Sequence, residues 1–84
     1  MSTEILIDTT TLPVNQRAMR DMLTVSKTCN TGDALAAGIE DIIRRYSARE
    51  VVAKRYGNGL VNIAVLDNDG LLVGTYTRAA KEGE

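Results

Sequence analysis

One change of rhythm constrains this chain more than any other feature: the apolar period drops from 3.6 residues to 2 just after Tyr46. Before it, Leu35, Ile39, Ile42, Ile43 and Tyr46 line a single helical stripe, which predicts a helix over Asp33–Tyr46. Asp33 suits its N-cap or first turn. Glu40 and Asp41 stand four residues ahead of Arg44 and Arg45, the favourable acid-first order, and the arginines complement the carboxyl end of the helix dipole. Gly38 weakens this helix by about 1 kcal/mol relative to Ala, a loss that a closely packed neighbour would explain. Upstream, Ala18, Met19, Met22, Leu23 and Val25 recur at the same spacing behind Pro13, with Arg17, Arg20 and Asp21 opposite. They predict a first helix over Val14–Ser26, with an Arg17–Asp21 pair on its open face. Lys27–Gly32 is the turn between the helices.

Beyond Tyr46 three β-rich stretches, Arg49–Tyr56, Leu60–Leu66 and Leu71–Thr77, are divided by Tyr56-Gly57-Asn58-Gly59 and Asp67-Asn68-Asp69-Gly70. Both dividers have hairpin-turn chemistry. In the middle stretch Val61, Ile63 and Val65 share one face while Asn62, Ala64 and Leu66 share the other. That pattern predicts a sheet with one face on helices and the other nearer water. Glu4–Asp8 is a further short strand able to join either edge, and Arg78–Glu84 is expected to fray. The expected architecture is a single α+β domain over 1–84, with two helices packed on an antiparallel sheet in the order β-α-α-β-β-β.

Composition narrows what such a domain can do. The chain has 84 residues and 44% hydrophobic content, without Trp or Phe, so its core is aliphatic. A domain of this size buries roughly 60–65% of its unfolded surface, a thin stability margin. Ten basic and eleven acidic residues leave a net charge of −1, unlike the strong positive balance of a phosphate-binding domain. Cys29 stands alone, which excludes an internal disulfide and fits a reducing compartment. The start MSTEILID lacks a basic leader, and the longest apolar run, Leu60–Leu66, is too short to span a bilayer. A cytosolic protein is expected.

Catalytic chemistry finds few carriers. Histidine is absent, which removes the commonest general base and metal ligand and leaves Cys29 without an activating partner. Asp67, Asp69 and Gly70 resemble the middle of a calcium loop, but Val65 and Tyr76 stand where oxygen ligands belong. The adjacent carboxylates Glu40 and Asp41 read as surface ion pairs, and the glycines match no phosphate-binding loop. No enzyme, cofactor or metal is expected. For nucleic acid, Arg44, Arg45, Arg49, Lys54 and Arg55 are interleaved with Tyr46 and Tyr56, and the order of elements admits a reduced winged helix reading DNA with Asp33–Tyr46. Glu40 and Asp41 would then lie against DNA, which weighs against that use.

The stretch Val61-Asn62-Ile63-Ala64-Val65-Leu66-Asp67-Asn68-Asp69-Gly70, with the chain length, resembles the small anti-CRISPR proteins of Pseudomonas phages, in particular inhibitors of type I and type I-E complexes. The likeness covers ten residues of a group without a diagnostic motif, so no functional residue is carried over. It implies a non-enzymatic inhibitor that docks on the CRISPR–Cas effector complex and blocks either DNA capture or nuclease recruitment. Such effectors present basic surfaces, so charge complementarity makes Glu40, Asp41, Asp67 and Asp69 the expected contacts. The alternatives are a small DNA-binding regulator using Arg44, Arg45, Arg49 and Arg55, and a structural or accessory phage protein that associates through an exposed sheet edge.

Overall fold

The structure, a computed structural model, describes residues 3–84. Its elements are β1 (Glu4–Ile5), a 3-10 turn (Thr9–Thr11), α1 (Gln16–Thr28), α2 (Gly32–Arg45), β2 (Arg49–Arg55), β3 (Leu60–Leu66) and β4 (Leu72–Ala79). The strands form one antiparallel sheet in the order β1-β2-β3-β4. The α+β architecture and element order match the sequence expectation, and the N-terminal strand joins the β2 edge.

Element ends moved where side chains compete for the backbone. β1 stops at Ile5 because the β2 register shifts between Val52 and Lys54. Leu6 N and Ile7 N then both donate to Ala53 O, at 2.8 and 3.1 Å, and the ladder breaks. α1 starts at Gln16 rather than Val14, since Asn15 is the N-cap and its Oδ1 accepts from Ala18 N at 3.1 Å. Pro13–Asn15 instead lies along β4: Leu72 N donates to Pro13 O at 2.8 Å and Asn15 N to Leu72 O at 2.9 Å. At the far end the hydroxyls of Thr24 and Thr28 donate to carbonyls one turn back, and the helix runs on to Thr28. Of the two places expected for Asp33 it takes the first turn of α2, while Thr31 is the cap, its Oγ1 accepting from Ala34 N at 3.1 Å. α2 ends on Ser47 at φ 51°, with Ala48 N donating to Ile43 O at 2.8 Å, which is Schellman closure.

The core has two parts. Ala18, Met22, Ile39 and Ile42 of the helices meet Val65 and Val73 of the sheet. Burial of each of the larger side chains, Met22, Ile39, Ile42, Val65 and Val73, contributes about 1.5–3 kcal/mol. The helices approach closely at Gly38, where a Cβ would lie 2.6 Å from Val25 Cγ1, and α1 approaches β4 at Gly74, where one would lie 2.9 Å from Met22 Cγ. The second sheet face is not the watery one expected: Ala53, Ala64, Leu66 and Leu72 are buried there, packed against Ile7, Leu12 and Met19 and beside Val51 of β2. Alternation along β3 could not reveal this, because Ile7 and Leu12 come from an irregular N-terminal segment with no period of its own and join Met19 of α1 there.

One ion-pair expectation and the expected fraying of the tail also changed. Asp21 pairs with Arg45 at 3.3 Å and accepts from the Tyr46 hydroxyl, clamping α1 to α2, rather than pairing with Arg17. Tyr46 and Arg45 hold its carboxyl below the usual range. Nor is the tail free: β4 continues to Ala79, Ala80 N donates to Gly59 O at 2.9 Å, and Arg78 grips Glu84. The β period was lost at Ala79-Ala80, but backbone pairing needs no side-chain pattern.

Candidate functional site

The expected acidic contacts do not converge. Asp67 is only 6% exposed, and its carboxylate accepts from Asn15 Nδ2 at 2.7 Å, Asp69 N at 2.9 Å and Leu71 N at 2.8 Å. It is therefore a structural group of the β3–β4 turn and is removed from the set of surface contacts. Glu40, Asp41 and Asp69 are exposed. Asp69 precedes β4, while Glu40 lies beside Arg78 and Lys81 at the opposite end of that strand. A strand of this length spans about 25 Å.

The basic run is likewise divided. Arg49 and Arg55 mark opposite ends of β2, facing Leu66 and Val61 across the ladder. Arg45 is shared between Asp21 and Asp41, at 3.3 and 2.5 Å, and Arg55 is paired with Glu4 at 3.2 Å. Arg44 is exposed at the end of α2. Neighbours in sequence, these side chains form no single basic surface.

What the fold does bring together is a cleft of about 400 Å³ between the first half of α2 and the sheet. Leu35, Ala36 and Ile39 of α2 form its apolar wall, and Glu50, Tyr76 and Arg78 line it from the sheet. Strand register explains their meeting. Glu50 faces Val65, Tyr76 faces Ile63 and Arg78 faces Val61, so all three stand on the side of the sheet that carries the helices. They occupy a face where apolar residues belong, and they are cross-paired in compensation. The Tyr76 hydroxyl donates to Glu50 Oε1, and Arg78 Nη2 donates to Glu50 Oε2 at 3.4 Å. Arg78 also forks onto Glu84, Nη1 to Oε1 at 2.6 Å and Nη2 to Oε2 at 2.8 Å. Its Nε is buried without a hydrogen-bond partner.

Ionisation in the cleft is pushed away from neutrality. Burial, reinforced by the bond to Glu50, raises the Tyr76 phenol to about 12. The Arg78 guanidinium and the Lys81 backbone N–H draw the Glu84 carboxyl down to about 2. Glu84 in turn raises Arg78 further above its ordinary value. These side chains form a mutually paired polar set facing the apolar wall of the cleft. Elsewhere, Cys29 is the half-buried C-cap of α1. Among the described residues no three His, Cys, Asp or Glu side chains converge as a metal site, and no helix is long and apolar enough to cross a membrane.

Glu50, Tyr76, Arg78 and Glu84 were missed by sequence reasoning. The available signal was register: with Val61, Ile63 and Val65 assigned to the core face, their partners in antiparallel neighbours should be apolar, yet Glu50, Tyr76 and Arg78 stand there, as does Arg55 opposite Val61. No family model, no curated protein and no solved structure matches the chain.

Proposed function

We propose that this protein works without catalysis, by holding a segment of a partner protein in the cleft between α2 and the sheet. The observation that carries this reading is the cleft itself: an apolar wall of Leu35, Ala36 and Ile39 faces a polar floor of Glu50, Tyr76 and Arg78. Concave sites with apolar walls and a few fixed polar groups are the usual form of a specific binding site. The floor groups are already engaged with one another, which suits recognition better than turnover.

The resemblance to anti-CRISPR proteins makes a type I CRISPR–Cas effector complex the first partner to test. Glu40 at the cleft rim supplies an acidic group for its basic surfaces, with Asp41 on the same helix. Asp69 precedes β4 at its other end and is not part of the cleft lining.

The test blocks the cleft without touching the core. Ala36 is exposed on α2, so Ala36→Arg fills the cleft mouth while retaining a good helix former. Purified effector complex should be retained by the immobilised wild-type protein at moderate salt and lost by the folded variant. The CRISPR partner fails if neither protein retains it. The cleft reading itself fails if whatever protein the wild type captures from nuclease-treated bacterial lysate is captured equally by Ala36→Arg. Retention of nothing but nuclease-sensitive DNA from untreated lysate would favour a regulator.

A further inference from the structure

We infer that Arg78 is the seat for a carboxylate of an incoming peptide, and that Glu84 occupies this seat from within the chain until the partner arrives. The inference rests on the cleft reading above and adds the ligand chemistry: an extended segment with an Asp or Glu beside an apolar residue.

Three observations carry it. The first is the asymmetry of the two carboxylates on Arg78. Glu50 is built into β2 and also accepts from the Tyr76 hydroxyl, so it is a fixed part of the floor. Glu84 comes from the exposed stretch 81–84, which is closed by Lys81 N donating to Glu84 Oε1 at 2.8 Å and Glu84 N donating to Lys81 O at 3.0 Å. No residue of that stretch belongs to either core cluster. Yet Glu84 makes the shorter, forked contact, and its side chain is only 23% exposed. A planar guanidinium met by both carboxylate oxygens is the arrangement a ligand carboxylate would reproduce.

The second is the state of Arg78. Its side chain is 18% exposed and its buried Nε already lacks an acceptor. Leaving the guanidinium without Glu84 would strand further donors, so the seat exchanges one carboxylate for another rather than standing empty. The third is what lies beside it. Lys81, which makes no ion pair among the described residues, shares the rim with Glu40, so the guanidinium itself and not the net charge of the rim selects the carboxylate, and the wall of Leu35, Ala36 and Ile39 accepts the apolar neighbour.

Because Glu84 competes from within the chain at high effective concentration, removing its charge should tighten binding. The probe is a fluorescein-labelled, end-blocked peptide of alternating Leu and Glu, and its control carries Gln for Glu. By fluorescence anisotropy, Glu84→Gln should bind the Glu peptide about five- to tenfold more tightly than wild type, with the Gln peptide unaffected. Arg78→Gln should abolish the gain in an Arg78→Gln/Glu84→Gln double variant whose amide spectrum shows an intact fold. Titration of wild type with the Glu peptide should also shift the Arg78 Nε–H resonance in ¹⁵N spectra. Equal affinity of wild type and Glu84→Gln for the Glu peptide, or equal affinity of Glu84→Gln for both peptides, overturns the seat. The Ala36→Arg variant separates the two claims. If it loses the captured partner while Glu84→Gln changes nothing, the cleft reading stands and the carboxylate seat falls. If it binds peptide and partner like wild type, the cleft reading falls as well.

Discussion

Asn15 and Asp67, 52 positions apart, meet through a 2.7 Å hydrogen bond in which the Asn15 amide donates to the Asp67 carboxylate. The same Asn15 accepts from Ala18 N to begin α1, and the same Asp67 accepts from Asp69 N and Leu71 N to shape the β3–β4 turn. One contact thus ties a helix start to a hairpin and aligns α1 with the strand it packs on.

Each member of this pair has its orientation set by its other bonds. Asp67→Asn would place an amide N–H against the Asn15 amide, and neither can flip without abandoning the helix cap or the turn. The expected loss is about 1–3 kcal/mol in denaturant unfolding. Exchanging the residues, Asn15→Asp with Asp67→Asn, restores a donor facing an acceptor and should recover most of that loss. Additive losses in the double variant would show that the two residues act separately. The pair also sets an acid response. Hydrogen bonds from Asn15 and then from the turn backbone lower the Asp67 carboxyl. A depressed folded value gives stability that is present above the unfolded value of about 3.9 and is lost as pH falls through the folded one. Asp67→Asn should therefore flatten the melting-temperature profile below about pH 4.

Tyr76 gives the opposite limb. Its phenol is raised to about 12 by burial and by Glu50, so the folded protein prefers the neutral form. The resulting stability is fully present below the unfolded value of about 10 and is lost as pH rises through the folded one. Between about pH 10 and 12, wild type should lose stability that Tyr76→Phe does not lose. Phenolate absorbance of the folded protein should show Tyr76 ionising late among its three tyrosines, with Tyr46 also raised by its bond to Asp21. Coincident ionisation of all three would argue against the Glu50 contact.

Helix propensity and packing conflict at Gly38, and packing should win. Alanine is about 1 kcal/mol the better helix former. However, its Cβ would sit 2.6 Å from Val25 Cγ1 and 3.3 Å from Cγ2, on a stiff β-branched side chain. Gly38→Ala should lower stability by about 1–3 kcal/mol. Combining it with Val25→Ala should cost less than the sum of the single changes, a coupling that chemical denaturation can measure.

Ser47 should respond in the other direction. It holds φ 51° at the end of α2, a conformation that disfavours an L side chain by about 1–2 kcal/mol, and it closes a Schellman turn where glycine is usual. Ser47→Gly should raise stability by about 0.5–1 kcal/mol, seen as a higher melting temperature with cleft binding unchanged. A lower melting temperature would mean that the hydroxyl makes an important contact.

Sequence by itself determined the α+β class, the order of the elements and the whole of β3, because each follows from local spacing and turn chemistry. Helix ends needed one more step, since Asn15 and Thr31 as caps and the threonine back-bonds of α1 depend on which competing side chain wins the backbone. Tertiary structure alone decided three things: that Ile7 and Leu12 cover the second sheet face, that Asp67 is buried, and that Glu50, Tyr76, Arg78 and Glu84 meet in one cleft. The reason is common to all three. Periodicity reports which side of its own element a residue occupies, whereas these contacts join residues from separate segments whose meeting depends on strand register and on how an irregular chain is laid across the sheet.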